Sequence, residues 1–179
     1  MDKTKALWQR PVVRIGVAVV LLIILGGAAA GGYYLTQTPP QQPIAFPHSV
    51  HVGLGVQCLY CHPGAQTGPV AGLPTTNRCW SCHQQIQQQS PELDKLASYV
   101  QQGKSIPWVP VAIEPDFVHF NHRPHIAAGI NCETCHGDVS QMEVAVPQPG
   151  QDMGWCLECH QKMAPDKFVQ LSDCSTCHY

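Results

Sequence analysis

The apolar and polar positions of this chain fall into three zones. An uncharged run of 21 residues from Ile15 to Leu35 is dominated by Val, Leu, Ile, Gly and Ala. At a rise of about 1.5 Å per residue it reaches roughly 30 Å, about one bilayer hydrocarbon core. The run predicts one transmembrane helix over 15–35. A second zone, residues 36–45, is polar and proline-rich, and its Thr38–Pro43 stretch predicts a short, stiff linker. The third zone, 46–179, shows one clear amphipathic element. Leu93, Leu96, Ala97 and Val100 share a helical face, Ser90 and Pro91 open it and Gly103 closes it, which predicts a surface helix over 91–102. Residues 84–89 (Gln-Gln-Ile-Gln-Gln-Gln) suit a solvated connector or a helix start. Residues 105–116 hold three prolines and Trp108, so an extended segment is expected.

An internal repeat organises the third zone. Phe46-Pro-His48-Ser-Val-His51 leads to Cys58, and Phe120-Asn-His122-Arg-Pro-His125 leads to Cys132 with the same seven-position offset from the second histidine. Gly55-Val56 and Gly129-Ile130 correspond as well. Each copy continues to a second cysteine motif, at Cys79 and Cys156. Duplication or a shared packing rule accounts for this better than chance does. The domain divides into halves near 46–83 and 120–160, with a tail holding a fifth motif at 174–178.

Charge refines the membrane reading. Lys3, Lys5, Arg10 and Arg14 precede the apolar run, so residues 1–14 are expected in the cytoplasm and Thr36 onward outside. Ala28-Ala29-Ala30 resembles a cleavage site of a secretory signal; the expectation taken here is an uncleaved signal anchor. Gly27 with Gly31, and Ala28 with Gly32, are small-residue steps suited to packing against a partner's membrane helix, although such residues are common in membrane helices generally. No Asp, Glu, Lys or Arg occurs from Ile15 to Asn77, which favours burial of the juxtamembrane segment in a complex. A net charge of −2 with 12% charged residues offers no basic stripe for nucleic acid. The 179 residues suit one domain, and 16 prolines and 15 glycines point to a largely irregular chain.

The chemistry lies in the cysteines. All ten sit in five Cys-x-x-Cys-His units: Cys58/Cys61-His62, Cys79/Cys82-His83, Cys132/Cys135-His136, Cys156/Cys159-His160 and Cys174/Cys177-His178. A lone Cys-x-x-Cys suits a redox disulfide or half a zinc site. Five copies, each followed by His, point to covalent c-type haem, with two thioethers per porphyrin and the adjacent His as proximal iron ligand. Five haem c groups would supply the apolar core that so irregular a chain lacks. Five histidines remain: His48, His51, His119, His122 and His125. The repeat assigns His48, His51, His122 and His125 as distal ligands, two per half. The fifth distal ligand is one of His119, Met142 and Met153, with Met163 less favoured. A thioether ligand would raise that haem's reduction potential.

The string from Phe120 to His136 resembles the cytochrome c3/c7 class. That resemblance implies that the first histidine of each pair serves the haem of the motif that follows, His48 for the first and His122 for the third, while His51 and His125 cross to other haems. The wider layout of one N-terminal membrane helix, five motifs and the run Met142…Met153-Gly-Trp-Cys156 is similar to the pentahaem subunit of alternative complex III, a bacterial quinol:electron-acceptor oxidoreductase. The fold implied is one transmembrane helix plus a c3/c7-like multihaem domain, mostly coil with short α-helices and little or no sheet. The function implied is electron transfer without catalysis by the subunit itself. It would take electrons from a quinol-oxidising assembly with an iron–sulfur protein donor and pass them to a monohaem cytochrome or soluble acceptor. Membrane subunits would contact its helix, and the haem domain would lie on the periplasmic side of a bacterial inner membrane. Competing readings are a single-anchor multihaem quinol dehydrogenase feeding a periplasmic reductase, a haem enzyme with an open iron site, and a passive tether.

Overall fold

The computed structural model describes residues 11–37, 39–86 and 89–179. They form two compact units, one ending at Thr38 and one running Pro39–Tyr179. The first is a single helix, α1 (Pro11–Gln37). Its Pro11–Tyr33 part is 23 residues long and apolar enough to cross a membrane. That length corresponds to roughly 35 Å. Val12, Leu22, Ile23 and Leu25 are exposed along it, as a lipid-facing or partner-facing helix requires. The helix continues past Leu35 and stops short of Pro39-Pro40, because a residue before proline is driven out of the α region.

The second unit is built of short helices joined by irregular chain, with no strand among the described residues. In chain order they are α2 (His48–Gly53), α3 (Cys58–Cys61), α4 (Gly64–Thr67), α5 (Thr76–His83), α6 (Pro91–Gln101), α7 (His122–Ala127), α8 (Cys132–His136), a 3-10 turn (Val139–Gln141), α9 (Met153–Met163), a second 3-10 turn (Pro165–Lys167), α10 (Phe168–Leu171) and α11 (Cys174–Cys177). The helix expected over 91–102 is α6. Ser90 caps it by accepting from Leu93 N at 3.3 Å, Pro91 occupies its first turn, and Gly103 follows with φ +62°. Residues 87–88 of the glutamine-rich connector lie outside the described residues.

Side-chain burial within this unit is sparse. Ile44, Leu96 and Ile106 form one buried cluster, with Leu93, Tyr99, Val100, Trp80 and Trp108 packed round it. Residues 105–116 run without regular structure, and Gln42 clamps them: its amide donates to Val109 O at 2.8 Å and accepts from Val109 N at 2.9 Å. The other buried residues are Ala65 and Thr76, the latter donating its hydroxyl to Lys104 O at 2.9 Å.

The two halves clasp one another reciprocally. In the first half, α2 packs on the Val139–Gln141 turn of the second, with Ser49 N donating to Met142 O (3.0 Å) and Ser49 Oγ to Glu143 Oε1 (2.6 Å). In the second half, α7 packs on α4 of the first, and His122 Nδ1 donates to Pro69 O at 2.6 Å. Each histidine-bearing helix is therefore held by the other half. In both copies a left-handed glycine ends that helix, Gly55 (φ +84°) after α2 and Gly129 (φ +76°) after α7.

Candidate haem centres

Each Cys-x-x-Cys-His unit folds as a helical turn, which brings its two thiols onto one face. In the first and fifth units the turn closes on the histidine: His62 N donates to Cys58 O and His178 N to Cys174 O, both at 2.9 Å. His83, His136 and His160 lie within α5, α8 and α9. Side-chain caps fix three of these turns. Thr75 accepts from Arg78 N, Asp152 from Trp155 N and Asp173 from Ser175 N.

The remaining histidines of the repeat are brought opposite four of these units. His51 faces His83 with ring centres 6.0 Å apart, His122 faces His136 at 6.2 Å with planes 10° apart, and His125 faces His160 at 6.1 Å and 28°. Burial holds His48 below the ordinary imidazole pKa, and neighbouring His62 and His51 push it the same way. A phenylalanine braces each pair. Phe46 stands edge-on to His48 (4.9 Å, 87°) and lies over His51 (4.2 Å, 27°). Phe120 repeats this against His122 (4.8 Å, 85°) and His125 (4.8 Å, 32°). The second histidine of each pair donates Nδ1–H to the carbonyl four residues back, His51 to Pro47 at 2.9 Å and His125 to Asn121 at 2.8 Å.

These residues fit haem on several counts. Two imidazoles on opposite sides of one metal, with bonds of about 2 Å and about 1.1 Å from ring centre to nitrogen, have centres about 6.2 Å apart; the three measured pairs match. His62 Nδ1 donates to Gly72 O and His178 Nδ1 to Phe117 O, both at 2.7 Å. With His51, His122 and His125, five imidazoles are thus held in the tautomer that leaves Nε2 free to ligate. Burial also lowers the pKa of His83 and His136, favouring the neutral, ligating form. It raises those of Cys61, Cys79, Cys132, Cys135 and Cys156. Protonated thiols suit capture as thioethers, whereas a thiolate metal site lowers them. No group of three or more His, Cys, Asp or Glu among the described residues is arranged to hold a bare metal ion.

The family described as cytochrome c7 and related cytochrome c matches residues 118–179. The multiheme cytochrome c subunit of menaquinone reductase from Nitratidesulfovibrio vulgaris (strain Hildenborough) is 34% identical over 161 residues, covering 77% of this chain and 77% of that one. The chain belongs to this family of multihaem cytochromes c. Covalent haem c and a role as a cytochrome subunit in electron transport follow from the family.

The fifth motif of this cytochrome differs from the other four. The ring recorded facing His178 is Phe117, at 6.0 Å and 30°. His119 lies alongside, its backbone N donating to Cys177 O at 2.8 Å and its ring stacked on Tyr179 at 4.3 Å. Met142 is half-buried at the end of the first 3-10 turn, while Met153 and Met163 are exposed at the two ends of α9. Sequence reasoning quoted Phe46 and Phe120 without giving them a task, though their fixed place before each histidine pair was the signal. Phe117 carried no signal at all.

Neighbouring motifs of the cytochrome also touch. Tyr60 Oη and Ser81 Oγ share a hydrogen bond of 3.2 Å, and the Arg78 guanidinium lies 4.9 Å from the Tyr60 ring centre, joining motifs one and two. The Cys58 and Cys132 thiols share a hydrogen bond between motifs one and three. Gln151, just before α9, donates to Cys135 O of motif three.

Proposed function

We propose that this cytochrome is the membrane-anchored electron-relay subunit of a quinone-reactive complex and holds five haem c groups. The thiols of Cys58/Cys61, Cys79/Cys82, Cys132/Cys135, Cys156/Cys159 and Cys174/Cys177 attach them. His62, His83, His136, His160 and His178 are the proximal ligands. The opposed imidazoles support His51 for motif two, His122 for motif three and His125 for motif four. His48 goes to motif one, on the closeness of His62. Those four assignments follow the order implied by the c3/c7 resemblance. For motif five we assign His119, supported by its anchoring to Cys177 and Tyr179, with Met142 and Met153 as alternatives.

The observation that carries this reading is the repeated opposition of imidazoles at 6.0–6.2 Å. Haem c ligated on both faces supplies a one-electron iron couple with no position open to substrate. What the chain does is hold and insulate. Backbone carbonyls fix the imidazole tautomers, Phe46 and Phe120 fix the ring planes, and α1 holds the cytochrome at the membrane. The basic residues before α1 support a cytoplasmic N-terminus and a haem domain on the periplasmic side of a bacterial inner membrane. Its partners would be membrane subunits packed on α1, an iron–sulfur donor, and a cytochrome or soluble carrier.

The layout similar to alternative complex III sets the current from quinol outward to the carrier. A second reading reverses it, and the relative's name, a menaquinone reductase, favours that one. Both are tested on the purified complex. Menaquinol mixed anaerobically with the oxidised complex reduces the haems if the outward reading holds. If only the reverse occurs, with reduced complex discharging into menaquinone, the inward reading holds. Quinol oxidation by this chain purified alone would refute the relay role and move the quinone site into the cytochrome itself.

A further inference from the structure

We infer that the five haem motifs stand in single file in the order two, one, three, four, five, so that motifs two and five are the two ends of the relay. This rests on the five-haem reading above and adds what spacing along the chain does not contain. The chain order is one to five, yet the contacts do not follow it.

Motif two touches motif one. Tyr60, between Cys58 and Cys61, bonds to Ser81, between Cys79 and Cys82, and Arg78 covers the same Tyr60 ring. The Cys61 thiol, raised by burial, is raised further by Cys82. Motif one, in turn, touches motif three across the junction of the halves. Cys58 and Cys132 are bonded through their thiols, α4 packs on α7, and His122, which faces His136 of motif three, donates to Pro69. Motif three touches motif four through Gln151, which bonds to Cys135 O, and through the nearness of Cys159 to Cys135. Motif four touches motif five by way of α10. α9 packs on α10, and Thr176 of motif five donates to Gln170 O of α10 at 2.8 Å. Cys177 is also among the neighbours that raise Cys156, after burial and Glu114.

The two ends differ. Motif two is where the second unit begins, because Ile44 packs with Cys79 and Trp80. Motif five holds the centre without a facing repeat histidine, and beside it Phe117 and Tyr179 are 67% and 81% exposed. In this order one electron taken up at one end is matched by one delivered at the other, and no bond or proton need change along the way. Motif three is the obligate middle.

The test is an iron-edge anomalous map from crystals of the full-length holoprotein, with iron content measured on the same sample. Five irons are expected. Those of motifs two and five should each have one nearest neighbour, and those of motifs one, three and four should have two. Five irons in a branched or differently ordered array overturn the order and leave the five-haem reading standing. Fewer than five irons per chain overturn that reading, and the order with it. A solution measurement gives a second arm. His122→Met raises the potential of the motif-three centre, and redox titration followed by haem-methyl resonances should show electrostatic shifts at the motif-one and motif-four centres. A larger shift at motif two or five overturns the file.

Discussion

Phe120→Ala separates positioning of the ligands from their mere presence. The Phe120 ring centre lies 4.8 Å from both His122 and His125, edge-on to one and near-parallel to the other. Aromatic contacts of this kind contribute about 0.5–1.5 kcal/mol each beyond area burial. Losing one at each imidazole should raise the fraction of detached distal ligand roughly 2- to 12-fold at each of two sites, at about 1.4 kcal/mol per factor of ten. The assay is carbon monoxide binding to the dithionite-reduced protein, because carbon monoxide takes only a position that the distal ligand has left. Two haems, those at motifs three and four, should bind faster, with a matching high-spin contribution in the oxidised spectrum. Phe46→Ala should do the same at motifs one and two. Binding rates unchanged in both variants, or an effect at a haem the altered ring does not brace, would refute the brace and weaken the ligand assignments built on it.

Leu96→Ala opens a void in the Ile44–Leu96–Ile106 cluster at a residue only 4% exposed. It should cost about 2–5 kcal/mol, read as a lowered denaturation midpoint with haem content unchanged. Ser90→Ala removes the cap on Leu93 N and should cost about 1 kcal/mol in the same assay. Gly129→Ala forces a side chain into the left-handed region at φ +76° and should cost about 1–2 kcal/mol. It should also disturb the His122/His125 pair more than the His48/His51 pair. His119→Ala should leave one haem of five high-spin and open to carbon monoxide. If Met153→Leu or Met142→Leu does so instead, with loss of a thioether-to-iron absorption band, the methionine takes the fifth site.

The attachment residues were plain in the sequence because Cys-x-x-Cys-His is a local pattern, complete within one helical turn. α6 was legible for the same reason, since Ser90, Pro91, the apolar face and Gly103 all lie within 14 consecutive residues. The pairing of His51 with His83, or His125 with His160, spans 32 and 35 positions by numbering. No local preference encodes it, and only the resemblance to c3/c7 cytochromes suggested that the second histidine crosses over. The adjacency of motifs one and three was less visible still. It depends on the reciprocal docking of α2 on the Val139–Gln141 turn and α7 on α4. That docking is a property of the repeat as a pair, which neither copy declares alone. The end of α1 ran beyond the last apolar residue because Pro39-Pro40, not polarity, sets it.

One tension in the second unit is resolved by the order in which its parts must form. With only Ile44, Ala65, Leu96 and Ile106 as buried apolar residues, side chains alone cannot drive cooperative folding of the 39–179 unit. Yet covalent attachment requires each motif to present two thiols on one face before the surrounding fold exists. The local caps supply that presentation. Asp152 and Asp173 satisfy the opening amides of α9 and α11, and Thr75 does so for α5, all within three residues and without long-range contacts. Asn121 does the same for α7, which bears the histidine pair, by accepting from Arg123 N at 3.0 Å. Motifs one and three have no such side-chain cap, and they are the two joined by the Cys58–Cys132 contact at the junction of the halves. Capped turns are therefore competent for attachment on their own, while the central pair depends on the halves having met. It follows that Asp152→Ala and Asp173→Ala should lower haem occupancy at motifs four and five in protein recovered from cells, while Glu143→Ala, which removes the acceptor for Ser49 Oγ, should lower it at motifs one and three. Peptide mapping of haem-bearing fragments would measure this directly, and equal loss at all motifs in every variant would show that attachment is not staged by local structure.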